Sequence, residues 1–98
     1  MASKTYETGA AFERRVKAHF EKMGYTVIRS AGSHTVIDLT AFRGTDKLEV
    51  IVIQCKTTGV LPQWERDTLE ALKKQHNFQI RTLHAFKGNG GHVEFEEL

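Results

Sequence analysis

Apolar side chains recur every three or four positions in an early stretch of the chain, which is the spacing of one helix face. The stripe consists of Phe12, Val16, Phe20 and Met23. Thr8 stands where a helix N-cap is expected, and Gly24 stands where helices commonly end. We therefore predict a first helix that runs from the Thr8 cap to about Met23.

A second helix is predicted after Pro62, because proline is favoured in the first turn of helices. Its apolar face would consist of Leu61, Trp64, Leu69 and Leu72. The pattern ends near His76.

The other apolar segments are short, bounded by turn residues and rich in β-branched or aromatic side chains, which is typical of strands. They cover residues 25–29, 36–42, 47–56, 79–86 and 92–95. The centre of the third strand is apolar at every position, which indicates that both of its faces are covered. The order αβββαββ predicts an α/β fold: one mixed sheet flanked by helices, in a single domain over residues 1–98.

Composition narrows the function only slightly. The single cysteine, Cys55, excludes an internal disulfide and a zinc site made of several thiolates. No apolar run reaches the roughly 20 residues that span a bilayer, so we expect no membrane partner and an intracellular, cytoplasmic location (the host cytoplasm for a viral protein). The net charge is +2, and the first third of the chain is its basic part. Basic residues there, such as Lys17, can meet phosphates or simply face solvent.

Three polar residues at strand ends suggest chemistry. Asp38 lies in the predicted second strand, and the third strand ends in Gln54, Cys55 and Lys56. Side chains alternate along a strand, so Gln54 and Lys56 share one face and Cys55 takes the other. A hairpin around Gly44 would bring Asp38, Gln54 and Lys56 together.

Such a group fits Mg²⁺ or Mn²⁺, which prefer carboxylate, amide and carbonyl oxygens. Asp38 offers a carboxylate, Gln54 an amide oxygen and Cys55 its main-chain carbonyl. Lys56 can position a water molecule or offset negative charge. The alternative is a simple ion pair between Asp38 and Lys56 at the end of the sheet. The spacing alone leaves both open.

From Gly9 to Lys56 the sequence resembles the archaeal and phage Holliday-junction resolvases, a branch of the PD-(D/E)xK nuclease superfamily with the restriction-endonuclease-like fold. The matching segments, in chain order, are Gly9-Ala10-Ala11-Phe12-Glu13-Arg14, the run Gly24-Tyr25 followed by Val27-Ile28-Arg29-Ser30-Ala31-Gly32-Ser33, then Ile37-Asp38-Leu39, and Ile51-Val52-Ile53-Gln54-Cys55-Lys56. They cover about half of the chain.

The resemblance implies a metal-dependent endonuclease, acting on branched DNA as a homodimer. It implies that Glu13, Asp38, Gln54, Lys56 and Ser33 are active-site residues, and that Asp38, Gln54, Cys55 and Glu13 hold the metal. Arg14 is implied to contact DNA, and we add Lys17, Arg29, Ser30 and His34 as further DNA-binding candidates. Leu61, Trp64, Val93 and Phe95 are candidates either for the dimer interface or for the core.

Gln54 departs from the Glu or Asp that the superfamily usually has at this position. Its amide oxygen can bind a cation without charge, and Glu13 can supply charge from the first helix. A glutamate at position 54 would then be expected to strengthen cation binding. Three functions remain open: a junction nuclease, a nuclease of the same fold acting on flaps, nicks or duplex, and a DNA-binding module that has lost catalysis.

Overall fold

The computed structural model describes residues 7–30, 35–44 and 46–98. Over these residues the element order is the one that the sequence predicts, apart from an added 3-10 turn. The elements are α1 (Gly9–Lys22), β1 (Thr26–Arg29), β2 (Leu39–Gly44), β3 (Leu48–Lys56), α2 (Gln63–Gln75), β4 (Ile80–Lys87), the 3-10 turn Asn89–Gly91 and β5 (Val93–Glu97).

The five strands form one mixed sheet whose spatial order follows the chain, β1-β2-β3-β4-β5. Neighbouring strands are antiparallel except β3 and β4, which are parallel because α2 crosses over between them. The predicted hairpin joins β2 to β3, and its register pairs Leu39 with Ile53. This register places Asp38, one residue before β2, beside the end of β3.

The sheet separates two cores of unequal size. On one face, Phe12, Val16 and Phe20 of α1 pack on Ile51, Ile53 and neighbouring apolar side chains. On the other face, a smaller cluster contains Val52, Leu61 and Leu69. Because residues 51, 52 and 53 are all buried, the prediction that β3 is covered on both faces is confirmed.

Local signals explain the bounds of α1. The Thr8 side chain accepts a hydrogen bond from the amide of Ala11 at 3.1 Å, so the predicted cap is present. The helix ends at Lys22, and Gly24 follows with φ of 91°, a conformation that disfavours residues with a Cβ. Met23 therefore lies outside the helix and is 45% exposed, which corrects its assignment to the apolar stripe.

The predicted second strand begins too early. Val36, Ile37 and Asp38 precede β2, which runs from Leu39 to Gly44. Asp38 still makes two sheet-like contacts, because its amide donates to Ile53 and its carbonyl accepts from Ser30, both at 2.9 Å. Val36 and Ile37 instead pack against the small core on the α2 side, so tertiary contacts decide their conformation. No helix among the described residues is long and apolar enough to cross a membrane.

Candidate active site

A cleft of about 450 Å³ opens at the end of β3 where the chain leaves the sheet. It collects residues from α1, from the segment before β2, from β3 and from α2. Its lining consists of Glu13, Thr35, Val36, Asp38, Gln54, Cys55, Lys56, Trp64 and Glu65. The predicted convergence of Asp38, Gln54 and Lys56 is thus present in the fold.

Asp38 is held in the cleft by the main chain of β3. Its Oδ2 accepts a hydrogen bond from the Cys55 amide at 2.8 Å, which fixes the carboxylate against the strand end. Burial raises the pKa of Asp38 above its ordinary value, and the negative charges of Glu13 and Glu65 act in the same direction. The Cys55 amide and the charge of Lys56 oppose this rise in pKa. A carboxylate in such surroundings gains from a nearby cation.

Gln54 and Lys56 share one face of β3, as the alternation of side chains predicts, and they meet a carboxylate from α2. The Gln54 Nε2 donates to Glu65 Oε1 at 3.2 Å, and the Lys56 Nζ donates to Glu65 Oε2 at 3.2 Å. Lys56 therefore forms its ion pair with Glu65 rather than with Asp38. The simple Asp38–Lys56 pair, the alternative left open by the spacing, is not what the fold contains.

The Gln54 side chain is 5% exposed, and its Oε1 has no hydrogen-bond partner among the described residues. Buried polar atoms are nearly always paired, so an unpaired amide oxygen on a residue that lines a cleft calls for a ligand. No group of three or more His, Cys, Asp and Glu side chains in the described part of the chain is placed to hold a metal. Mg²⁺ needs only one or two carboxylates, because other oxygens, waters and substrate phosphates complete its shell. The Asp38 carboxylate and the Gln54 oxygen fit this requirement.

Glu13 reaches the cleft from α1, and its side chain is 18% exposed. Its Oε1 accepts a hydrogen bond from Arg29 Nε at 2.8 Å. The pKa of Arg29 is raised, chiefly by this hydrogen bond. Two predicted site residues therefore lie in one ion pair, with Arg29 still half exposed at 50%.

Cys55 points away from Gln54 and packs against the core on the α1 side. Burial raises the pKa of its thiol far above the ordinary value, and the charges of Asp38 and Glu13 add to the rise. The thiol therefore stays protonated and is not a nucleophile. Its carbonyl as a metal ligand stays a prediction.

The described candidates for DNA binding lie on α1 and at the end of β1. Arg14 is exposed on α1, and Lys17 donates to Glu21 at 2.8 Å. Arg29 and Ser30 follow at the end of β1. Ser33 and His34 lie outside the described residues. All of these assignments stay predictions.

Glu65 is the site residue that sequence reasoning missed. It is 7% exposed, although glutamate is almost never buried without partners. One signal was available: Glu65 falls four positions before Leu69, on the apolar face of α2. That spacing does not indicate which residues of the sheet Glu65 contacts.

Two proteins whose names describe the cleavage of DNA junctions are similar to this chain. The crossover junction endodeoxyribonuclease Hjc of Methanocaldococcus jannaschii is 51% identical over 54 residues, which is 55% of this chain and 38% of that protein. The structure of Archaeoglobus fulgidus Hjc, a Holliday junction resolvase, superposes with a TM-score of 0.67 and 25% identity. The superposition covers 91% of this chain and 71% of that one. The resemblance and the fold class predicted from the sequence are confirmed.

A family model covers more of the chain than the motif segments do. The model Mrr_cat, described as restriction endonuclease, matches residues 6–88. This range includes α1, all four residues predicted to hold the metal, and α2. The chain therefore belongs to the Mrr_cat restriction endonuclease family.

Proposed function

We propose that this chain is a divalent-metal-dependent endodeoxyribonuclease that cleaves four-way DNA junctions. The observation that carries the proposal is the cleft in which Asp38, the unpaired Gln54 oxygen and Lys56 meet in a chain of a restriction endonuclease family. The junction as substrate is supported by the two similar proteins, whose names describe crossover junction cleavage and Holliday junction resolution. The match spans only 38% of the first of them, so the substrate is part of the proposal.

Asp38 and Gln54 would hold Mg²⁺ or Mn²⁺, with the Cys55 carbonyl and Glu13 as further oxygen donors. A bound divalent cation supplies Lewis acidity toward water and phosphate oxygens. Asp38 is already oriented by the Cys55 amide at 2.8 Å, so its carboxylate needs little reorganisation to bind. Manganese and magnesium share a preference for such hard oxygen ligands, and the donor set favours neither.

Lys56 would act on the phosphate or on the attacking water. Its side chain is 29% exposed and lines the cleft, and its Nζ is anchored by Glu65, so the ammonium is held close to the place where the phosphate would lie. A fixed positive charge in a partly buried site stabilises developing negative charge more strongly than in water. Glu13 and Ser33 complete the set of active-site residues that the resemblance implies.

DNA would approach over the exposed end of α1 and the end of β1. Arg14 is exposed, and Arg29 is half exposed beside the cleft. Phosphate contacts by such residues set orientation and affinity but carry no base sequence, which suits an enzyme that reads the shape of a branch. Lys17 and Ser30 are further candidates among the described residues, and His34 is a further candidate from the sequence alone.

We also propose that the working species is a homodimer. A junction has two equivalent strands to cut, and one described cleft serves one strand, so a two-fold pair is the simplest source of a second site. Leu61 is buried in the core, and Val93 and Phe95 pack against the α1-side cluster, so three of the four candidate interface residues belong to the fold itself. Trp64 is 62% exposed beside an apolar groove formed with Val36, Ile37 and Leu72, which favours α2 as the contact.

Because the proposed substrate is DNA, an intracellular, cytoplasmic location belongs to the same proposal.

The test compares labelled four-way junction, flap, nicked and linear duplex DNA, each with Mg²⁺, with Mn²⁺ and with EDTA. Metal-dependent cutting of the junction in preference to the others supports the proposal. Preferential cutting of another DNA would assign a different substrate to the same site. Binding without cutting in either metal would identify a DNA-binding module instead. Sedimentation equilibrium with and without junction tests the dimer, and a monomer mass in both samples would refute it.

A further inference from the structure

Glu65 is the one buried carboxylate among the described residues that contacts two predicted active-site side chains at once. Its Oε1 accepts from Gln54 and its Oε2 accepts from Lys56, both at 3.2 Å. It arrives from α2, eleven positions after Gln54, and it lines the same cleft as Asp38. Burying a carboxylate is costly unless it is paired, so its position demands an explanation beyond filling space.

The contact fixes which end of the Gln54 amide meets Glu65 and which end is left for another partner. A carboxylate only accepts hydrogen bonds, so the NH₂ end of Gln54 must turn toward Glu65. The carbonyl end then points the other way, and it is this Oε1 that has no partner among the described residues. The opposite orientation would set two acceptors against each other in a buried place.

We propose that Glu65 is a positioning residue, which acts through Gln54 by holding its amide oxygen toward the metal site. The inference rests on the proposed function, since it assigns a role within that site. Both carboxylate oxygens of Glu65 are already engaged by N–H donors, which argues for positioning rather than direct ligation. The arrangement also explains a neutral residue at position 54: the negative charge sits on α2 instead.

Exchanging the two side chains separates positioning from simple structural support. In Glu65→Gln, the new amide can accept from Lys56 with its oxygen and donate to Gln54 with its nitrogen. The pair stays hydrogen-bonded, but the Gln54 amide must reverse, so that its oxygen faces residue 65 and is no longer free to bind a metal. We expect this variant to melt near the parent temperature in EDTA, while its affinity for Mn²⁺ falls roughly tenfold to a hundredfold.

Gln54→Glu alone places two carboxylates in contact, so we expect a clear loss of thermal stability in EDTA. The structure thus revises the expectation that a glutamate at position 54 by itself improves the site. In the double variant Gln54→Glu with Glu65→Gln, the amide at position 65 donates to the carboxylate at 54 and accepts from Lys56. We expect both the melting temperature and the Mn²⁺ affinity to recover.

The experiment measures Mn²⁺ and Mg²⁺ affinity by titration calorimetry and melting in EDTA, for the parent, the two single variants and the double variant. Glu70→Gln is the matched control, because it makes the same change on an exposed position of α2. Equal metal affinity in Glu65→Gln and Glu70→Gln would overturn the inference, as would a double variant whose effects are the sum of the singles. If either of these outcomes occurs while the parent still cuts junctions, the positioning role of Glu65 is wrong and the proposed function stays intact. If the parent binds neither Mg²⁺ nor Mn²⁺, both the positioning role of Glu65 and the proposed metal-dependent function are overturned.

Discussion

The two faces of the sheet are built from the same strands but differ in what they bury. The α1 face buries apolar side chains from α1, β1, β2, β3 and β4. The α2 face has a much smaller apolar cluster. It also contains the buried polar or charged side chains found among the described residues: Gln54, Glu65, Thr82 and His84.

Alternation along β3 and β4 produces this division. Ile51 and Ile53 turn toward α1, whereas Val52 and Gln54 turn toward α2, where Thr82 and His84 are their partners in register. Apolar burial on the α1 face supplies stability, since each large side chain removed from water contributes roughly 1.5–3 kcal/mol. Polar burial on the α2 face costs stability unless every group is paired, and within the described part of the chain Gln54 Oε1 and His84 Nε2 have no hydrogen-bond partner. The comparison teaches that the apolar face supports the fold, whereas the α2 face carries buried polar groups, including Gln54 and Glu65 of the candidate site.

The largest expected effect is on catalysis. Asp38→Asn should reduce metal-dependent junction cleavage by roughly a hundredfold or more, because it removes the anionic ligand while keeping an oxygen for the Cys55 amide. Asp46→Asn, an exposed change in the turn at the other end of the β2–β3 hairpin, is the control and should cut at the parental rate. If Asp38→Asn cuts junctions in Mg²⁺ at the rate of the parent, Asp38 is not a metal ligand.

On the α1 face the effect should fall on stability instead. Ile53→Ala should lower the free energy of unfolding by about 2–5 kcal/mol, because Ile53 is fully buried in the large cluster. Leu48→Ala, at the exposed start of the same strand, should change it by no more than about 0.5 kcal/mol. Urea unfolding of both variants gives the comparison. A loss of metal affinity in folded Ile53→Ala would show that the two faces are not separable.

The pH dependence of stability should have opposite signs at the two acids Asp38 and Glu7. The raised pKa of Asp38 means that its ionised form costs stability once the pH exceeds the ordinary value of 3.8. Asp38→Asn should therefore melt above the parent at neutral pH in EDTA, and this advantage should vanish as the pH falls toward that value.

Glu7 provides the reversed control. Its pKa is lowered to about 2, chiefly by the hydrogen bond with Arg15, so its stabilising contribution is complete above the ordinary value of 4.5 and disappears as the pH falls through about 2. Glu7→Gln should melt below the parent at neutral pH, with the difference closing under acid conditions. If the melting temperatures of both variants differ from that of the parent by the same amount at every pH, the assigned pKa shifts are contradicted.

A smaller effect is expected when the polar pair on the α2 face is made apolar. The double variant Gln54→Leu with Glu65→Leu should keep the free energy of unfolding within about 1 kcal/mol of the parent, because apolar replacements of buried polar pairs are often neutral or stabilising. Lys56, which is partly exposed, can then turn to water. A loss of several kcal/mol in urea unfolding would mean that the pair holds the fold together.

The smallest expected change concerns the DNA surface. Arg14→Ala should weaken junction binding and reduce the slope of log K against log salt by about one unit, since one phosphate contact is lost. Lys74→Ala, a basic residue near the end of α2, is the matched control. If the parent and Arg14→Ala have equal slopes, Arg14 contacts no phosphate, and the DNA-binding surface has to be sought on another element than α1.

Much of the fold was readable from local pattern. Helical spacing and a Thr cap predicted α1, and β-branched runs between turn residues predicted the strands. The period of two also placed Gln54 and Lys56 on one face of β3 with Cys55 on the other. The hairpin then brought Asp38 to them, because a short turn between adjacent strands leaves little choice of partner. These predictions worked because each depends on neighbours a few residues away.

The tertiary structure alone decided the rest. Val36 and Ile37 have strand-like sequences, yet they leave the sheet to pack on the α2 side. Trp64 and Leu61 both carried apolar signals, but only Trp64 is exposed. The pairing of Glu65 with Gln54 and Lys56 depends on the length of the crossover after β3 and on the rotation of α2 about its axis. The sequence determined which face each residue takes within its own helix or strand. Which residue of another element lies opposite is set by packing between distant segments, and no local period encodes it.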